Sequence, residues 1–120
     1  MQNARAKAEE TLNHTDHVNL LKPAELPAGG VWADLGAGSG AFTLALRELI
    51  GPAASIYAVD KDGGSLRHLK RAFARRFGES TSLHLVRADL AGPLDLPELD
   101  GALMANSLHF FRDREKMLER

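Results

Sequence analysis

Cysteine is absent from this 120-residue chain, and its absence removes whole classes of chemistry. Without thiols the chain has no disulfides, no thiolate nucleophile and no zinc site built on cysteine. No apolar run approaches the roughly 18 residues that a membrane-spanning helix needs, and the N-terminus lacks the apolar segment of a secretory signal. We therefore expect a cytoplasmic protein with no membrane association.

The chain also has little net charge and few aromatic side chains. Fifteen basic residues against sixteen acidic ones leave a formal net charge of -1, and aromatic residues make up 6% of the chain. Such a balance gives no overall attraction to nucleic acid, so we expect no nucleic-acid partner. Hydrophobic residues make up 44% of the sequence, which is ordinary for a single globular domain.

What the chain does contain is a regular alternation of short apolar runs and helical periods. Apolar runs at 31–35, 55–60 and 82–87 predict three buried strands, and a fourth strand starts at Gly101 and runs out near Ala105. Residues between the first three runs repeat their apolar positions with a helical period. Alternating strands and helices with short connections imply right-handed crossovers and a parallel sheet. Ligands of such sheets bind beyond the carboxyl ends of the strands.

The two ends of the chain are less regular. Residues 3–22 predict one or two helices that end at Pro23, so we expect residues 1–30 to form a helical lid or connector and residues 31–120 to form a cofactor-binding domain. The last predicted helix begins at Asp113 and is still in progress at the final residue, which would leave the fourth strand as an unpaired edge. We expect a domain truncated at its C-terminal end, or else a homodimer or another partner that covers this edge.

The stretch Asp-Leu-Gly-Ala-Gly-Ser-Gly at residues 34–40 follows the first strand. Glycines at 36, 38 and 40 allow a positive φ and leave no Cβ between the loop and a ligand, which could then lie on main-chain N–H groups at the start of the next helix. Gly36, Gly38 and Ala41 also match the G-x-G-x-x-A pattern of dinucleotide sites. A tight turn without any ligand fits the same residues.

Three carboxylates at the ends of the predicted strands narrow the choice of ligand. Asp34 would repel a pyrophosphate placed on the glycine loop, whereas a cationic ligand would gain from it. Asp60 ends the second strand and can accept two hydrogen bonds from a ribose diol. Asp89 follows the third strand and can accept from the amine of an adenine. The set therefore favours an adenosine attached to a positive group.

In this order and spacing, VWADLGAGSG, IYAVD, VRADL and MANSLHFFRD resemble the class I S-adenosylmethionine-dependent methyltransferases, from about Val31 to the C-terminus. The resemblance implies an α/β fold with a Rossmann-like, doubly wound parallel sheet in the strand order 3-2-1-4. The C-terminal strands of the family's seven-stranded sheet would be absent from this chain. It also implies S-adenosylmethionine as cofactor and methyl transfer by in-line displacement.

The same resemblance implies roles for individual residues. The glycine loop, including Ala37, would cradle the methionine part of the cofactor, and Asp34 would help to hold its ammonium group. Asp60 would take the ribose hydroxyls. Ala88 and Asp89 would face the adenine. The family often has an apolar residue after the acid of the second strand.

Three further residues complete the predicted site. Lys61 stands where the family often has that apolar residue, and its alkyl stem would take over the packing on adenine. Leu90 would pack on the other face of the ring. Asn106 would contact the methionine group or the substrate.

The residues after the fourth strand bear on the methyl acceptor. Relatives that methylate amino groups of nucleobases or of glutamine carry Asn/Asp-Pro-Pro-aromatic there, whereas residues 106–109 read Asn-Ser-Leu-His. Residues 106–120 instead resemble the small-molecule branch, including quinone-biosynthesis-type enzymes. We therefore expect a small-molecule acceptor, with His109 as the candidate general base where the acceptor must lose a proton. An NAD(P)-dependent oxidoreductase and a non-catalytic S-adenosylmethionine-binding module remain open as alternatives.

We expect no metal site in this chain. His14, Asp16 and His17 match a metal-binding cluster in composition. The start of a helix in a polar segment accounts for them better, because Asn, Asp and similar side chains are favoured there.

Overall fold

In the computed structural model, residues 13–79 and 82–104 are described in full, and residues 107–110 are described by their backbone alone. The chain begins with helix α1, His14–Leu21, and a 3-10 turn at Lys22–Ala24. The remaining elements are β1 Val31–Leu35, α2 Ala41–Ile50, β2 Ser55–Asp60, α3 Gly63–Phe77, β3 Leu83–Arg87, β4 Gly101–Met104 and β5 Ser107–Phe110.

The strands form one sheet in the order β3-β2-β1-β4-β5. The first four strands are parallel, with β1 paired to β2 on one side and to β4 on the other. Trp32, Ala33 and Asp34 of β1 are buried in succession, and β1 is a central strand with a parallel neighbour on each side. The predicted α/β class and strand order 3-2-1-4 are confirmed.

Helices α2 and α3 both pack on the same face of the sheet. Leu46 of α2 shares a buried cluster with Trp32 and Ile56, and Leu69 of α3 shares another with Ala58. Ile56 and Ala58 are two residues apart on β2 and so point to one face. This placement follows from two successive right-handed crossovers that move in the same direction across the sheet. It brings the start of α2 close to α3.

The far side of β4 differs from the prediction. The fourth strand ends at Met104, and the chain reverses so that β5 pairs antiparallel with β4, with Ser107 opposite Met104 and Phe110 opposite Gly101. The expectation that β4 is an unpaired edge needing a partner or a second copy was therefore wrong. The chain's own β5 takes up the row of main-chain groups that an edge would expose. The helix predicted from Asp113 lies outside the described residues.

Helix α1 belongs to the core of the domain. Its N-cap is Asn13, whose side chain accepts a hydrogen bond from the Asp16 backbone N–H while the Asp16 carboxylate accepts one from the Asn13 backbone N–H. At its other end Leu21 is buried in the cluster around Trp32. Of the one or two helices predicted over residues 3–22, α1 is the part within the described residues, and residues 3–12 lie outside them. The lid function of residues 1–30 stays a prediction.

The two histidines of α1 have protein partners. His14 Nε2 lies 3.0 Å from Glu48 Oε1, and His17 packs edge-on against Phe42 with ring centroids 4.9 Å apart. Among the residues that the structure describes, no helix combines the length and the apolar character required to cross a membrane. The cytoplasmic location stays a prediction.

Candidate cofactor-binding site

The glycine loop turns the chain from β1 into α2. Gly36, Gly38 and Gly40 have φ values of 82°, 57° and 98°, a region that side chains with a Cβ rarely adopt. The loop is tied to the neighbouring strand, because the backbone N–H groups of Gly36 and Ala37 both donate to the Val59 carbonyl, at 2.8 and 2.9 Å. These bonds hold the loop flat against the carboxyl ends of β1 and β2.

The main-chain donors of the loop are largely used within the protein. Besides the two bonds to Val59, Gly40 N–H donates to the Ala37 carbonyl at 3.0 Å, and Gly38 N–H donates to Asp60 Oδ2 at 2.8 Å. The expectation that a ligand lies on free N–H groups therefore does not hold for these four. A ligand on this loop would meet the bare Cα surface of the glycines.

The three glycines are required for different reasons. A Cβ on Gly40 would lie 2.5 Å from Leu69 Cγ, so this glycine allows α3 to pack against the start of α2. A Cβ on Gly38 would meet no atom within 4 Å, and one on Gly36 would lie 3.7 Å from Leu90 Cδ1. The space above Gly36 and Gly38 is thus open to a ligand.

Asp60 joins the glycine loop to the end of β2. Its Oδ2 accepts from Gly38 N–H, and its Oδ1 accepts from the backbone N–H of Asp62 at 2.9 Å. A carboxylate has about four acceptor positions, so two remain for a ligand. The two backbone bonds fix the orientation of the carboxylate before any ligand arrives.

Asp34 is the buried acid of the site. Only 4% of its surface is exposed, and its Oδ2 accepts a 2.6 Å hydrogen bond from the hydroxyl of the fully buried Thr43. The pKa of Asp34 is raised from 3.8 to about 6: burial has the largest effect and raises it, the Thr43 hydrogen bond lowers it, and the charge of Asp60 raises it.

Sequence reasoning missed Thr43. It lies on the first turn of α2 and donates to an acid nine residues earlier, across the glycine loop. A signal was present: Thr43, Leu46 and Ile50 are spaced i, i+3 and i+7 and are all buried, so the hydroxyl falls within an otherwise apolar stripe. The apolar residues Phe42, Ala45, Leu46 and Leu49 at i, i+3, i+4 and i+7 predict a helix face that leaves Thr43 out.

One open cavity of about 290 Å³ lies beyond the carboxyl ends of β1, β2 and β3. Its volume is close to the lower end of the range for small-molecule sites. Among the residues that the structure describes, its lining consists of residues that the sequence predicts for the cofactor: Gly36, Asp60, Lys61, Ala88, Asp89 and Leu90. The structure thus brings together the residues predicted for ribose and adenine.

The lining residues supply both polar and apolar contacts. The Asp89 carboxylate accepts a hydrogen bond from Ala91 N–H at 2.9 Å, which shapes the turn and leaves its other oxygen for a ligand. Leu90 is 42% exposed although it is a large apolar residue. The Lys61 carbonyl accepts from Arg87 Nε at 3.2 Å. The lining therefore offers both polar groups and an apolar surface to a ligand.

The remaining predicted residues are not part of this cavity lining. Asp34, Ala37, Gly38 and Gly40 lie in or beneath the loop. Asn106 lies outside the described residues, as does the side chain of His109, so their predicted roles stay predictions. A larger cavity, of about 480 Å³, lies between α3 and β3 and includes Phe73 and His84, but it contains no predicted cofactor residue.

Comparison with known proteins identifies the family. A methyltransferase domain family matches residues 33–120, which include β1, the glycine loop and the acids at the ends of β2 and β3. This chain belongs to that methyltransferase domain family. The predicted class of S-adenosylmethionine-dependent methyltransferases is confirmed at the level of the family, together with S-adenosylmethionine as the family's cofactor.

Individual relatives agree with this assignment. The chain is 40% identical over 78 residues, 65% of its length, to a release factor glutamine methyltransferase from Mycobacterium leprae, of which it covers 25%. The structure of TrmN from Thermus thermophilus aligns with 76% of this chain at a TM-score of 0.65 and 27% identity, covering 27% of TrmN. Coclaurine N-methyltransferase bound to N-methylheliamine and S-adenosylhomocysteine shares the fold, with a TM-score of 0.63 and 20% identity over 76% of this chain and 26% of that protein.

These relatives correct the prediction about the acceptor. The chain spans about a quarter of the length of the curated relatives it matches. All three relatives carry the name release factor glutamine methyltransferase. The expected small-molecule acceptor was therefore wrong, and the small-molecule, quinone-biosynthesis-like branch loses its support. That prediction relied on the missing Pro-Pro pair at residues 106–109, and a difference at four positions does not outweigh similarity over 78 residues.

Proposed function

We propose that this chain binds S-adenosylmethionine in the cavity at the carboxyl edge of its sheet and serves the transfer of the cofactor's methyl group to a protein acceptor. The observation that carries the proposal is the lining of that cavity: every described residue in it is one that the sequence predicts for the cofactor, with Gly36 assigned to the methionine part and the others to the ribose or the adenine. Family membership and the open surface of Gly36 and Gly38 support it.

The residues present fit an adenosyl cofactor. Asp60 has two free acceptor positions, which suit the two hydroxyls of a ribose. Leu90 offers an exposed apolar surface to an aromatic ring, and burying that surface stabilises the complex. Asp89 keeps an oxygen available for an exocyclic amine. The site carries acids at two strand ends, which disfavours a dinucleotide pyrophosphate.

When bound, S-adenosylmethionine supplies a methyl group on a positively charged sulfur that a nucleophile can displace. The chain's own contribution is placement, because holding two reactants in line provides much of the acceleration in such a displacement. The bonds from Gly36 and Ala37 to Val59 and from Gly38 to Asp60 fix the loop that would carry the cofactor. We propose that Asn106, between β4 and β5, faces the acceptor.

We propose a protein side chain as the acceptor. The support is the similarity to release factor glutamine methyltransferases. An amide nitrogen is a poor nucleophile that must lose a proton during transfer, so this acceptor needs a proton-accepting group near the end of β4. His109 is the residue of the predicted set with a suitable side chain. Its backbone lies on β5 opposite Ala102, two residues before the end of β4, so we assign it no role in the transfer.

A calorimetric titration tests the cofactor. S-adenosylhomocysteine and S-adenosylmethionine are expected to bind the chain with one-to-one stoichiometry, and NAD is expected not to bind. Binding of NAD without binding of either adenosyl compound would overturn the proposal. A competition in which adenosine displaces S-adenosylhomocysteine would support the assignment of the cavity to the adenosine part.

A transfer assay tests the acceptor. The chain is incubated with S-adenosylmethionine labelled on its methyl group, together with a release factor or, separately, a panel of small phenols and amines. We expect label in the protein and none in the small molecules. Label in a small molecule alone would overturn the protein acceptor, and cofactor binding without any transfer would identify a binding module instead.

A further inference from the structure

Helix α3 concentrates positive charge on its exposed side. Five of the chain's fifteen basic residues lie in this helix, which contains no acidic residue. The rest of the chain therefore carries ten basic and sixteen acidic residues, so a nearly neutral total conceals a separation of charge. The five basic side chains are all exposed: Arg67, Lys70, Arg71, Arg75 and Arg76.

Three of these side chains form an arginine row along α3. Arg67, Arg71 and Arg75 follow one another at intervals of four residues, which places them about 6 Å apart along one line of the helix. The row faces away from the side on which Leu69 and Phe73 are buried. Like charges at this spacing destabilise a helix, so the stability of α3 does not account for the row.

The space beside the arginine row is open to a partner. Two shallow depressions flank it, where Ala72 and Ala74 leave room between the long side chains. One, of about 430 Å³, includes Arg75 and has no acid among its described lining residues. The other, of about 330 Å³, includes Arg71 and also one acid, Glu79. Guanidinium groups thus line spaces that a carboxylate can enter, and their planar fork matches a carboxylate at two points.

A cavity with apolar side chains adjoins the arginine row. It is the cavity of about 480 Å³ between α3 and β3, whose lining includes Phe73, Leu83 and Leu85. Lys70 lines both this cavity and the neighbouring depression. Strand β3 lies at the edge of the sheet, and Leu85 is 36% exposed. A partner that meets the arginines can therefore place an apolar side chain in the cavity at the same time.

These features favour an acidic protein segment over a nucleic acid. Of the aromatic side chains of α3, Phe73 and Phe77 are buried or half-buried and His68 alone is exposed, so successive bases have no run of rings on which to stack. The acidic excess on the rest of the chain repels an extended polyanion, whereas a short segment meets only the basic side of α3. An apolar side chain held in a pocket is a typical anchor of protein interfaces.

We propose that α3 and the edge strand β3 dock an acidic segment of the protein acceptor, whose carboxylates bind the arginine row while an apolar side chain enters the cavity beside Leu85. The inference rests on the proposed function for the acceptor being a protein. The docking cavity includes Gly78 and Leu83, at the start of β3, whereas the cofactor cavity lies beyond the opposite end of that strand. The surface therefore adds to the affinity for the acceptor and takes no part in the transfer.

The test uses a fluorescent peptide with a single leucine between two runs of glutamates, and follows its binding to the full chain by anisotropy. We expect wild type to bind the peptide, with affinity that weakens as salt screens the charges. Arg71→Glu is expected to bind about tenfold more weakly, because an attraction is replaced by a repulsion. Lys22→Glu makes the same change of charge at an exposed position outside α3 and is expected to stay within about twofold of wild type.

A loss of binding in Arg71→Glu cannot be attributed to unfolding if the variant is stable. The substitution places an acid four residues from an arginine on each side, an arrangement that favours a helix. Urea unfolding is therefore expected to show a variant at least as stable as wild type, and its affinity for S-adenosylhomocysteine is expected to equal that of wild type because Arg71 does not line the cofactor cavity.

The apolar contact is tested with a second peptide that has serine in place of the leucine. Leu85→Ser is expected to bind the leucine peptide about fivefold more weakly than wild type does, because less apolar surface is buried. The same variant is expected to bind the serine peptide as wild type does. Equal losses with both peptides would show that no apolar side chain enters the cavity beside Leu85.

The outcomes separate this inference from the proposed function. If the chain binds S-adenosylhomocysteine but not the acidic peptide, or if Arg71→Glu and Lys22→Glu bind the peptide equally well, the docking surface is overturned and the proposed function stands. If an RNA duplex binds more tightly than the peptide and loses its binding in Arg71→Glu, the arginine row serves nucleic acid and the inference is wrong. Peptide binding that depends on Arg71 in a chain that does not bind S-adenosylhomocysteine would leave the docking surface in place while the proposed function fails.

Discussion

The backbone N–H of Gly38 donates a 2.8 Å hydrogen bond to Asp60 Oδ2, so the acid at the end of β2 holds the loop that follows β1. The other oxygen of the same carboxylate holds the backbone of Asp62 at the start of α3. One side chain therefore ties together three segments at the carboxyl edge of the sheet. The residue predicted to bind ribose is at the same time the support of the loop.

We expect Asp60→Ala to weaken S-adenosylhomocysteine binding by about 1–3 kcal/mol, because a charged acceptor of hydrogen bonds is lost. Asp60→Asn keeps one acceptor oxygen and is expected to lose less. Calorimetric titration measures both. Asp62→Asn serves as the matched control, since Asp62 is the adjacent acid but does not line the cavity. An Asp60→Ala variant that binds as tightly as the Asp62→Asn control would remove Asp60 from the site.

Gly40→Ala is expected to destabilise the fold by about 3 kcal/mol or more, combining about 1–2 kcal/mol of strain at a positive φ with the contact of its Cβ against Leu69 Cγ at 2.5 Å. Gly38→Ala has a positive φ but meets no atom within 4 Å, so only the strain applies. Urea unfolding, followed by the fluorescence of the sole tryptophan, Trp32, measures both. Equal losses in the two variants would show that Leu69 moves aside without cost.

The order of the strands could be predicted from the sequence because right-handed crossovers leave few arrangements for alternating strands and helices. The convergence of Asp60, Asp89 and Gly36 on one cavity could be predicted for the same reason, since carboxyl ends of parallel strands share one edge. The return of the chain as β5 could not, because residues 107–110 have no turn signal of glycine or proline before them.

Burial of single polar groups was the second feature beyond prediction. Asp34 was expected to help hold the ammonium group of the cofactor through contacts of the loop and of water, but its burial under the loop with Thr43 as its donor was not predicted. The sequence also did not show which N–H groups of the loop are free to bind a ligand. Two of them donate to the carbonyl of Val59, and backbone carbonyls carry no sequence signal. Both depend on the depth at which α2 packs on the sheet.

Leu90→Ser is expected to weaken S-adenosylhomocysteine binding by about 1 kcal/mol or more, since less apolar surface is buried by the ligand. Because Leu90 is 42% exposed without a ligand, its substitution should leave the free energy of unfolding within about 0.5 kcal/mol. Leu20→Ser provides the matched control, because Leu20 is 62% exposed on α1 and does not line the cavity. If both serine variants bind equally well, the adenine does not rest on Leu90.

Asp34 also predicts how stability depends on pH. Burial holds its pKa at about 6 in the folded chain against 3.8 for the exposed group. Below pH 3.8 both states are protonated. Between pH 3.8 and 6 the unfolded chain loses its proton while the folded chain keeps it, so stability falls as pH rises through this window. Above pH 6 the titration of Asp34 has lowered the free energy of unfolding by about 3 kcal/mol relative to its value below pH 3.8.

Asp34→Asn cannot ionise and retains an oxygen that accepts from Thr43, so this loss should disappear. Above pH 7 we expect the free energy of unfolding of the variant, measured by urea unfolding, to exceed that of wild type by up to about 3 kcal/mol. Near pH 3.5 the two proteins are expected to be equally stable. The difference between the two curves isolates Asp34, because all other groups titrate in both proteins. A difference that is constant with pH would mean that Asp34 has the same pKa in the folded and the unfolded chain, with the Thr43 hydrogen bond offsetting burial.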